Sequence, residues 1–376
     1  MGFNIWTDCP RVPITQLLEF IVDNRGKTVP TAPSGHKLIA TNCVTNNTLF
    51  PVYEKVRYLS DEIYRTWFRA HPIPGDILFV NKGTPGRVCM VPNPIDFCIA
   101  QDMIALRADD SKIYNKYLFA VLRSREIQQQ IYNTNVGDVI PHFKKQFMDQ
   151  LLIPVPDRKM QEVIGDLYYA LSYKVEHNKK INDNLQQQAQ AIYASMFIDN
   201  TDPAWVQGHL SDLITVKYGK DHKKLADGSY PVYGSGGIMR YVERPLYDKE
   251  SVLIPRKGTL NNVMYVNQPF WSVDTMFYTE MRLPNVAKFV YHFVKAKDLA
   301  SMNAGSAVPS MTTDILNAME VTIPSASALE EFESLVAPMY RAMQENDIQS
   351  SKLSELRDAL LPKLMSGEID VSDIWL

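Results

Sequence analysis

Residues 76–83 read DILFVNKG and residues 251–258 read SVLIPRKG. Each is a short apolar run closed by a basic residue and a glycine, the pattern of a buried strand entering a turn. Working outward from this pair, Gln101–Asp102–Met103 answers Val273–Asp274–Thr275, and Val139–Ile140–Pro141 answers Ala307–Val308–Pro309. Leu152–Ile153–Pro154 likewise answers Thr322–Ile323–Pro324. The offset drifts from 175 through 172 and 168 to 170, as two diverged modules with small loop insertions require. A chain that says the same thing twice suits a target with two similar halves.

Each copy runs into a long helix. Residues 157–198 hold no Pro, and no Gly after residue 165, while apolar residues keep a helical stride. Ile164, Leu171, Asn178, Leu185 and Ile192 recur every seventh residue, flanked by Leu167, Val175, Ile181, Ala189 and Met196. At a constant offset of 168 the second copy gives Phe332, Met339, Asn346, Leu353 and Leu360, flanked by Leu335, Met343, Leu356 and Leu364. Both series are coiled-coil seams with Asn at the same position, and a buried Asn fixes register because its amide needs a partner. Two helices packed independently on their own modules would also fit; the matched Asn178 and Asn346 favour mutual pairing. A helix of this length rises roughly 60 Å at about 1.5 Å per residue, enough for a spacer. Ser327-x-x-Glu330 predicts a capping box, Pro338 a kink or a delayed start, and Gly367 a stop.

The modules read as strand-rich, with strands expected at 77–80, 99–106, 251–254 and 270–278 and one helix in each, at 115–132 and 286–300. The class is α+β: two repeated modules with mixed sheets, joined by two long helices forming an antiparallel coiled-coil spacer. The expected divisions are 1–156, 157–198, 199–325 and 326–376, with residues 199–206 as linker.

Composition excludes little. The chain has 376 residues, 45% hydrophobic and 22% charged, with a net charge of −3. The charge is divided: +3 over 1–156 and +2 over 207–324, against −2 over 157–206 and −6 over 325–376. Mildly basic modules on acidic helices permit nucleic-acid binding without establishing it. No apolar run approaches membrane-spanning length, and the N-terminus lacks the parts of a signal peptide. Cys9, Cys43, Cys89 and Cys98 form no C-x₂-C pair, so they read as free thiols rather than a metal or disulfide set.

Searches for catalytic motifs return nothing. No phosphate loop, zinc helix or Gly-rich cofactor turn is present, and Tyr233–Gly234–Ser235–Gly236–Gly237 is not a nucleophile elbow. Asp102 and Asp274 match between copies but lack partners at catalytic spacing. The basic Gly loops hold more: Asn24–Arg25–Gly26–Lys27, Lys82–Gly83–Thr84–Pro85–Gly86–Arg87, Tyr218–Gly219–Lys220–Asp221–His222–Lys223–Lys224 and Arg256–Lys257–Gly258–Thr259–Leu260–Asn261–Asn262. Gly lets backbone N–H groups approach a phosphate, Lys and Arg supply charge, and Arg and Asn can read base edges. Such loops are also ordinary turns; four of them at matched positions balance the two readings. His142, followed by Lys144, corresponds to Ser310 in the second copy, a variation that suits a sequence reader better than a catalyst.

Together these features resemble the specificity subunit of type I restriction–modification systems over essentially the whole chain. Residues 185–193 (LQQQAQAIY) and 353–369 (LSELRDALLPKLMSGEI) are similar to that family's central and C-terminal conserved regions. Tyr218–Gly219–Lys220, 231–237 (PVYGSGG) and 254–259 (IPRKGT) are similar to motifs of its recognition domains. The resemblance implies a non-catalytic subunit that reads a bipartite, asymmetric double-stranded DNA target, one half per module. It implies partners as well: two modification (methyltransferase) subunits carrying S-adenosylmethionine, and restriction subunits that translocate and cleave. No cofactor or metal is expected on this chain, and the compartment is the bacterial or archaeal cytoplasm. The expected DNA-binding residues are Asn24, Arg25, Lys27, Lys82, Thr84, Arg87, His142, Lys144, Lys220, His222, Lys223, Tyr233, Ser235, Arg256, Lys257, Thr259, Asn261 and Ser310. Two other readings stay open, a stand-alone nuclease or hydrolase using Asp102 or Asp274, and a helical scaffold that does not read DNA.

Overall fold

The computed structural model describes residues 4–24, 28–134, 141–302 and 310–369. Two compact units emerge: Met1–Ile181 with Glu345–Leu376, and Asn182–Gln344. The division falls inside both long helices rather than at their ends, so each unit holds one module and part of each helix.

In the first unit all four residues of Ile77–Val80 are buried, which is why the run is uninterruptedly apolar. The strand lies between Met103–Ala108 and Val88–Met90, with Leu18–Val22 beyond, all antiparallel. A three-stranded sheet places His36–Ile39 between antiparallel Arg57–Leu59 and parallel Phe97–Ile99. Arg11–Pro13 pairs with Leu152–Pro154 and closes the module. The second unit repeats this strand for strand. Ser251–Pro255 lies between Met276–Met281 and Met264–Val266, with Ile214–Tyr218 beyond. Asp227–Gly234 lies between antiparallel Gly237–Val242 and parallel Trp271–Ser272, and Val206–His209 pairs with Glu320–Ile323.

Three expectations need correction. The runs 99–106 and 270–278 are each two strands, because the chain turns at Asp102 and Asp274 between one sheet and the next. The helix at 115–132 is two, Asn115–Leu122 and Arg125–Thr134, separated at Ser124, whose Oγ donates back to the Val121 carbonyl at 2.6 Å. Its counterpart at 286–300 is shorter, Ala287–Lys295.

The long helices are Arg158–Ala194, followed by a π turn over Ser195–Asp199, and Ala326–Ser366. The second runs unbroken through Pro338. That residue is exposed, so the Ser334 carbonyl that loses its donor faces solvent. Its cap is Ser325, whose Oγ accepts the Ala328 N–H at 3.3 Å, rather than Ser327. Gly367 stops it at φ +75°, in the left-handed region where glycine is favoured.

Within each unit the helix segments run antiparallel. In the first, Val163, Ile164, Leu361 and Met365 join one core with Phe79, Tyr117 and Ile153. Gly165 is required there, since a Cβ would lie 2.6 Å from the Tyr117 nitrogen on the module's helix. In the second unit Tyr193, Phe197 and Phe332 join Phe277, Phe289 and Val290, with the Phe197 and Phe332 rings edge to face at 5.1 Å. The seam is therefore an extension of each module's core. Leu335 and Leu356, expected at its flanks, are 46% and 47% exposed.

Asn178 is fully buried and meets its repeat partner, but not amide to amide. Its Nδ2 donates to the Asn346 main-chain carbonyl at 3.3 Å, to Gln349 Oε1 at 2.8 Å and to Ser350 Oγ at 3.2 Å. Its Oδ1 is buried without a protein donor. A half-satisfied amide in a seam costs stability and holds register. Asn178→Leu is therefore expected to leave the melting temperature unchanged or raise it by a few degrees, because the removed desolvation penalty of about 1–3 kcal/mol exceeds the bonds lost. Differential scanning calorimetry checks this; a large fall in melting temperature would show that the three contacts outweigh the orphaned oxygen.

The four cysteines are free, with Cys43, Cys89 and Cys98 buried. No described helix is long and apolar enough to cross a membrane.

Candidate nucleic-acid interface

Two loops leave the inner strands of the two four-stranded sheets in the same way. Gly83 and Gly258 both take φ +86°. A β-carbon there would be strained, and the conformation turns the following amides outward. Lys82 bridges to His142 and Lys257 to Ser310. The Phe143 N–H donates to the Asn81 carbonyl at 2.8 Å, and the Met311 N–H to the Arg256 carbonyl at 2.9 Å. Each loop is thus clamped to a second segment by the same hydrogen bond. The matched segments 139–140 and 307–309 lie outside the described residues, as do Arg25 and Lys27.

Lys82, Lys144, Lys220, Lys223, Lys224 and Lys257 are exposed and Arg87 is half-buried. Among the described residues none of these seven cations meets a carboxylate, whereas Lys37, Lys116, Lys217 and Lys288 elsewhere in the modules do. Unpaired cations on Gly turns suit phosphate oxygens. Thr259 is exposed beside Lys257, and Thr84, Ser235, His142 and Ser310 are half-buried around the turns. His222 is also half-buried, and its Nδ1 is buried without a partner.

Other expected contacts are occupied within the fold. Asn24 is 3% exposed; its Nδ2 donates to the Ala70 carbonyl at 2.9 Å and its Oδ1 accepts the Arg69 N–H at 2.9 Å. It shapes the loop rather than presenting an amide. Tyr233 is a core residue packed on Phe270, and its hydroxyl accepts from Gln268. Asn261 donates to Asp298 at 2.9 Å and accepts the Ala300 N–H at 3.0 Å. Arg256 lies over the Tyr218 ring at 5.4 Å and donates to the Asp274 carbonyl at 3.1 Å. Asp102 and Asp274 thus contribute main-chain carbonyls to these turns, Asp102 accepting the Asn81 N–H at 3.0 Å.

The sequence reading missed the hairpin of the second three-stranded sheet. Ile238, Met239 and Tyr241 on Gly237–Val242 are 49%, 61% and 49% exposed, and Tyr218 is 53% exposed. Apolar side chains exposed near unpaired lysines can stack on or wedge against bases. The signal was the strict β pattern after Gly236–Gly237, which reads equally well as a buried strand.

Known proteins bear on this arrangement. A family model described as the type I restriction modification DNA specificity domain matches residues 31–187 and 204–332. The MjaIX type I restriction enzyme specificity subunit of Methanocaldococcus jannaschii is 21% identical over 343 residues, covering 80% of this chain and 79% of its own. The HindI specificity subunit of Haemophilus influenzae is 21% identical over 406 residues, covering 78% and 86%. The crystal structure of a type I restriction–modification S subunit from M. genitalium superposes with a TM-score of 0.62 at 17% identity, covering 95% of this chain and 96% of that one. That last likeness bears on the fold.

Proposed function

The chain belongs to the type I restriction modification DNA specificity family, and on that premise we propose that each module reads one half of a split double-stranded DNA sequence. The observation that carries this reading is the pair of matched, carboxylate-free basic turns at Lys82–Gly83 and Lys257–Gly258, clamped by equivalent hydrogen bonds. Matched turns hold the same backbone feature in each half, while side chains around them differ: His142 against Ser310, Arg87 against Asn262, and the exposed Ile238 and Met239 on the antiparallel strand of the second module's three-stranded sheet. The target is accordingly asymmetric. The long helices join the two readers, so their length sets the separation of the half-sites.

The chain itself is non-catalytic. Modification subunits, which carry S-adenosylmethionine, and restriction subunits dock on it in the bacterial or archaeal cytoplasm, two modification subunits per chain. The acidic balance of 325–376, −6 in net charge, suits protein partners better than phosphates.

Lys82→Ala and Lys257→Ala are each expected to reduce the salt dependence of DNA binding by about one unit of log–log slope, weakening all sequences alike, and the double variant by about two. Fluorescence anisotropy across a salt titration, with the chain alone or bound to its modification subunits, measures this. Competition between random and cognate duplexes tests the specificity itself; equal affinity for both sinks the proposal.

A further inference from the structure

The first unit holds a cavity of about 290 Å3 lined by Arg123, Arg125, Tyr168 and Arg357. The Arg357 side chain is 4% exposed, and among the described residues its carboxylate contact is Nε to Asp358 at 2.8 Å. Arg123 lies over the Phe119 ring at 4.3 Å, and its Nη2 donates to the Thr45, Thr48 and Val88 carbonyls. Its Nε and Nη1 are buried with no acceptor. Burial, the largest cause, acts to lower the Arg123 pKa; Tyr168, through charge and a side-chain hydrogen bond, and then Cys89 act to raise it, and the Arg357 charge is the smallest cause, on the lowering side. Two guanidinium groups thus line one space. The ten-residue helix Arg125–Thr134 also begins there. Its Ile127 and Gln128 N–H groups bond Ser124, and the amides of Arg125 and Glu126 precede any intrahelical partner.

We propose that this cavity is an oxyanion site that takes a phosphate group, with Arg123, Arg357 and the first amides of Arg125–Thr134 as donors. A buried guanidinium with no facing carboxylate of its own, as at Arg123, is unfavourable, and guanidinium forks match phosphate oxygens two at a time. Glu126 and Asp358 also line the cavity, but both are exposed at its rim, and Asp358 occupies only one Arg357 nitrogen.

The second unit shows which part of this site belongs to the repeated frame. Lys295 stands where Arg123 stands: it lies over Tyr291 at 5.6 Å and reaches the Val263 carbonyl at 3.4 Å, matching Phe119 and Val88. The position matching Arg357, at the seam offset of 168, is Ala189, fully buried. The first cation is part of the frame and the second is not. One phosphate per chain is therefore expected, and this does not depend on the DNA reading.

The test titrates inorganic phosphate into the intact chain against sodium chloride of equal ionic strength, by calorimetry and thermal melting. The expected result is saturable binding at one site, weakened about tenfold or more in Arg357→Gln, as loss of a charge-assisted donor pair implies, and partly restored in Arg357→Lys. Arg357 is the primary variant because Arg123 holds three carbonyls, so its loss perturbs the fold; circular dichroism verifies each variant. Lys82→Ala should retain phosphate binding. Equal effects of phosphate and chloride, or undiminished binding in Arg357→Gln, overturn the proposal. Addition of duplex DNA separates two sources of the same chemistry: displacement of phosphate identifies a DNA backbone phosphate as the occupant, and retention identifies a free phosphate-class solute.

Discussion

Lys288→Met is expected to destabilise the second unit by about 2–3 kcal/mol, below the ~3–5 kcal/mol for a fully buried ion pair because the Glu250 and Glu333 side chains keep 40% and 23% exposure. The Lys288 side chain is 4% exposed, and its ammonium donates to Glu250 at 2.9 Å and to Glu333 at 2.7 Å. It also sits 5.0 Å from the centroid of the Tyr265 ring and 5.7 Å from that of Tyr340. The Tyr265 hydroxyl donates to Glu250 as well. Burial acts to raise the Glu250 pKa, but Tyr265 and Lys288 together hold it below the ordinary carboxylate value. Methionine preserves most of the aliphatic bulk, so the loss isolates the charge: two carboxylates remain facing each other without their cation. The repeat supplies an internal control. Lys116, at the matching position of the first module, pairs with Asp166 on the central helix at 2.6 Å, yet both side chains are about a third exposed. Solvent screens that pair, and Lys116→Met is expected to cost about 1 kcal/mol or less. Urea unfolding, with hydrogen exchange assigning each change to its unit, measures both. Equal effects of the two substitutions would mean that burial does not set the strength of this recurring module-to-helix contact.

The repeat was legible because its frame is built from short apolar strands buried on all sides, and such runs tolerate few residue types. DILFVNKG and SVLIPRKG keep hydrophobicity, turn glycine and basic residue even where few letters match. The three-stranded sheets were not legible. Residues 28–75 and 221–250 differ in length and composition, yet they build equivalent sheets around His36–Ile39 and Asp227–Gly234. Strands of two to eight residues paired across long insertions leave no periodic signal. The heptads located the seam but not its width, because the modules' own cores cover one flank and leave Leu335 and Leu356 to solvent. At the candidate interface the unpaired lysines followed from composition. Asn24, Tyr233 and Asn261 did not, since a polar side chain in a Gly-rich turn looks the same whether it faces a ligand or holds the turn. Only its hydrogen-bond partners distinguish the two.

Acidification from pH 6.5 toward 4 is expected to remove about 3 kcal/mol of stability from the second unit through one residue, His292. Its Nδ1 lies 2.8 Å from Gln190 Oε1 and its Nε2 lies 2.9 Å from the Tyr340 hydroxyl. An amide oxygen can only accept, so Nδ1 carries the proton and Nε2 accepts from Tyr340. The ring is fully buried and stacks on Tyr193 at 5.3 Å. Burial, and after it the charge of Lys295, pushes its pKa down from 6.5 to about 4. A depressed histidine pKa means that the unfolded chain takes up the proton first. The stabilisation is therefore complete above pH 6.5 and drains away as pH falls to the folded value. Carboxylates held low, such as Glu250, act in a lower window, below their ordinary value of 4.5. The matching position in the first module is Ala120, also fully buried, which cannot titrate. Hydrogen exchange at about pH 7 and about pH 5 should accordingly show loss of protection in the second unit with little change in the first. His292→Gln, which retains a donor and an acceptor, should flatten the dependence. If the wild-type second unit keeps full protection at the lower pH, the imidazole is protonated without penalty, and the Gln190–His292–Tyr340 chain is not what ties the module's helix to the long helices.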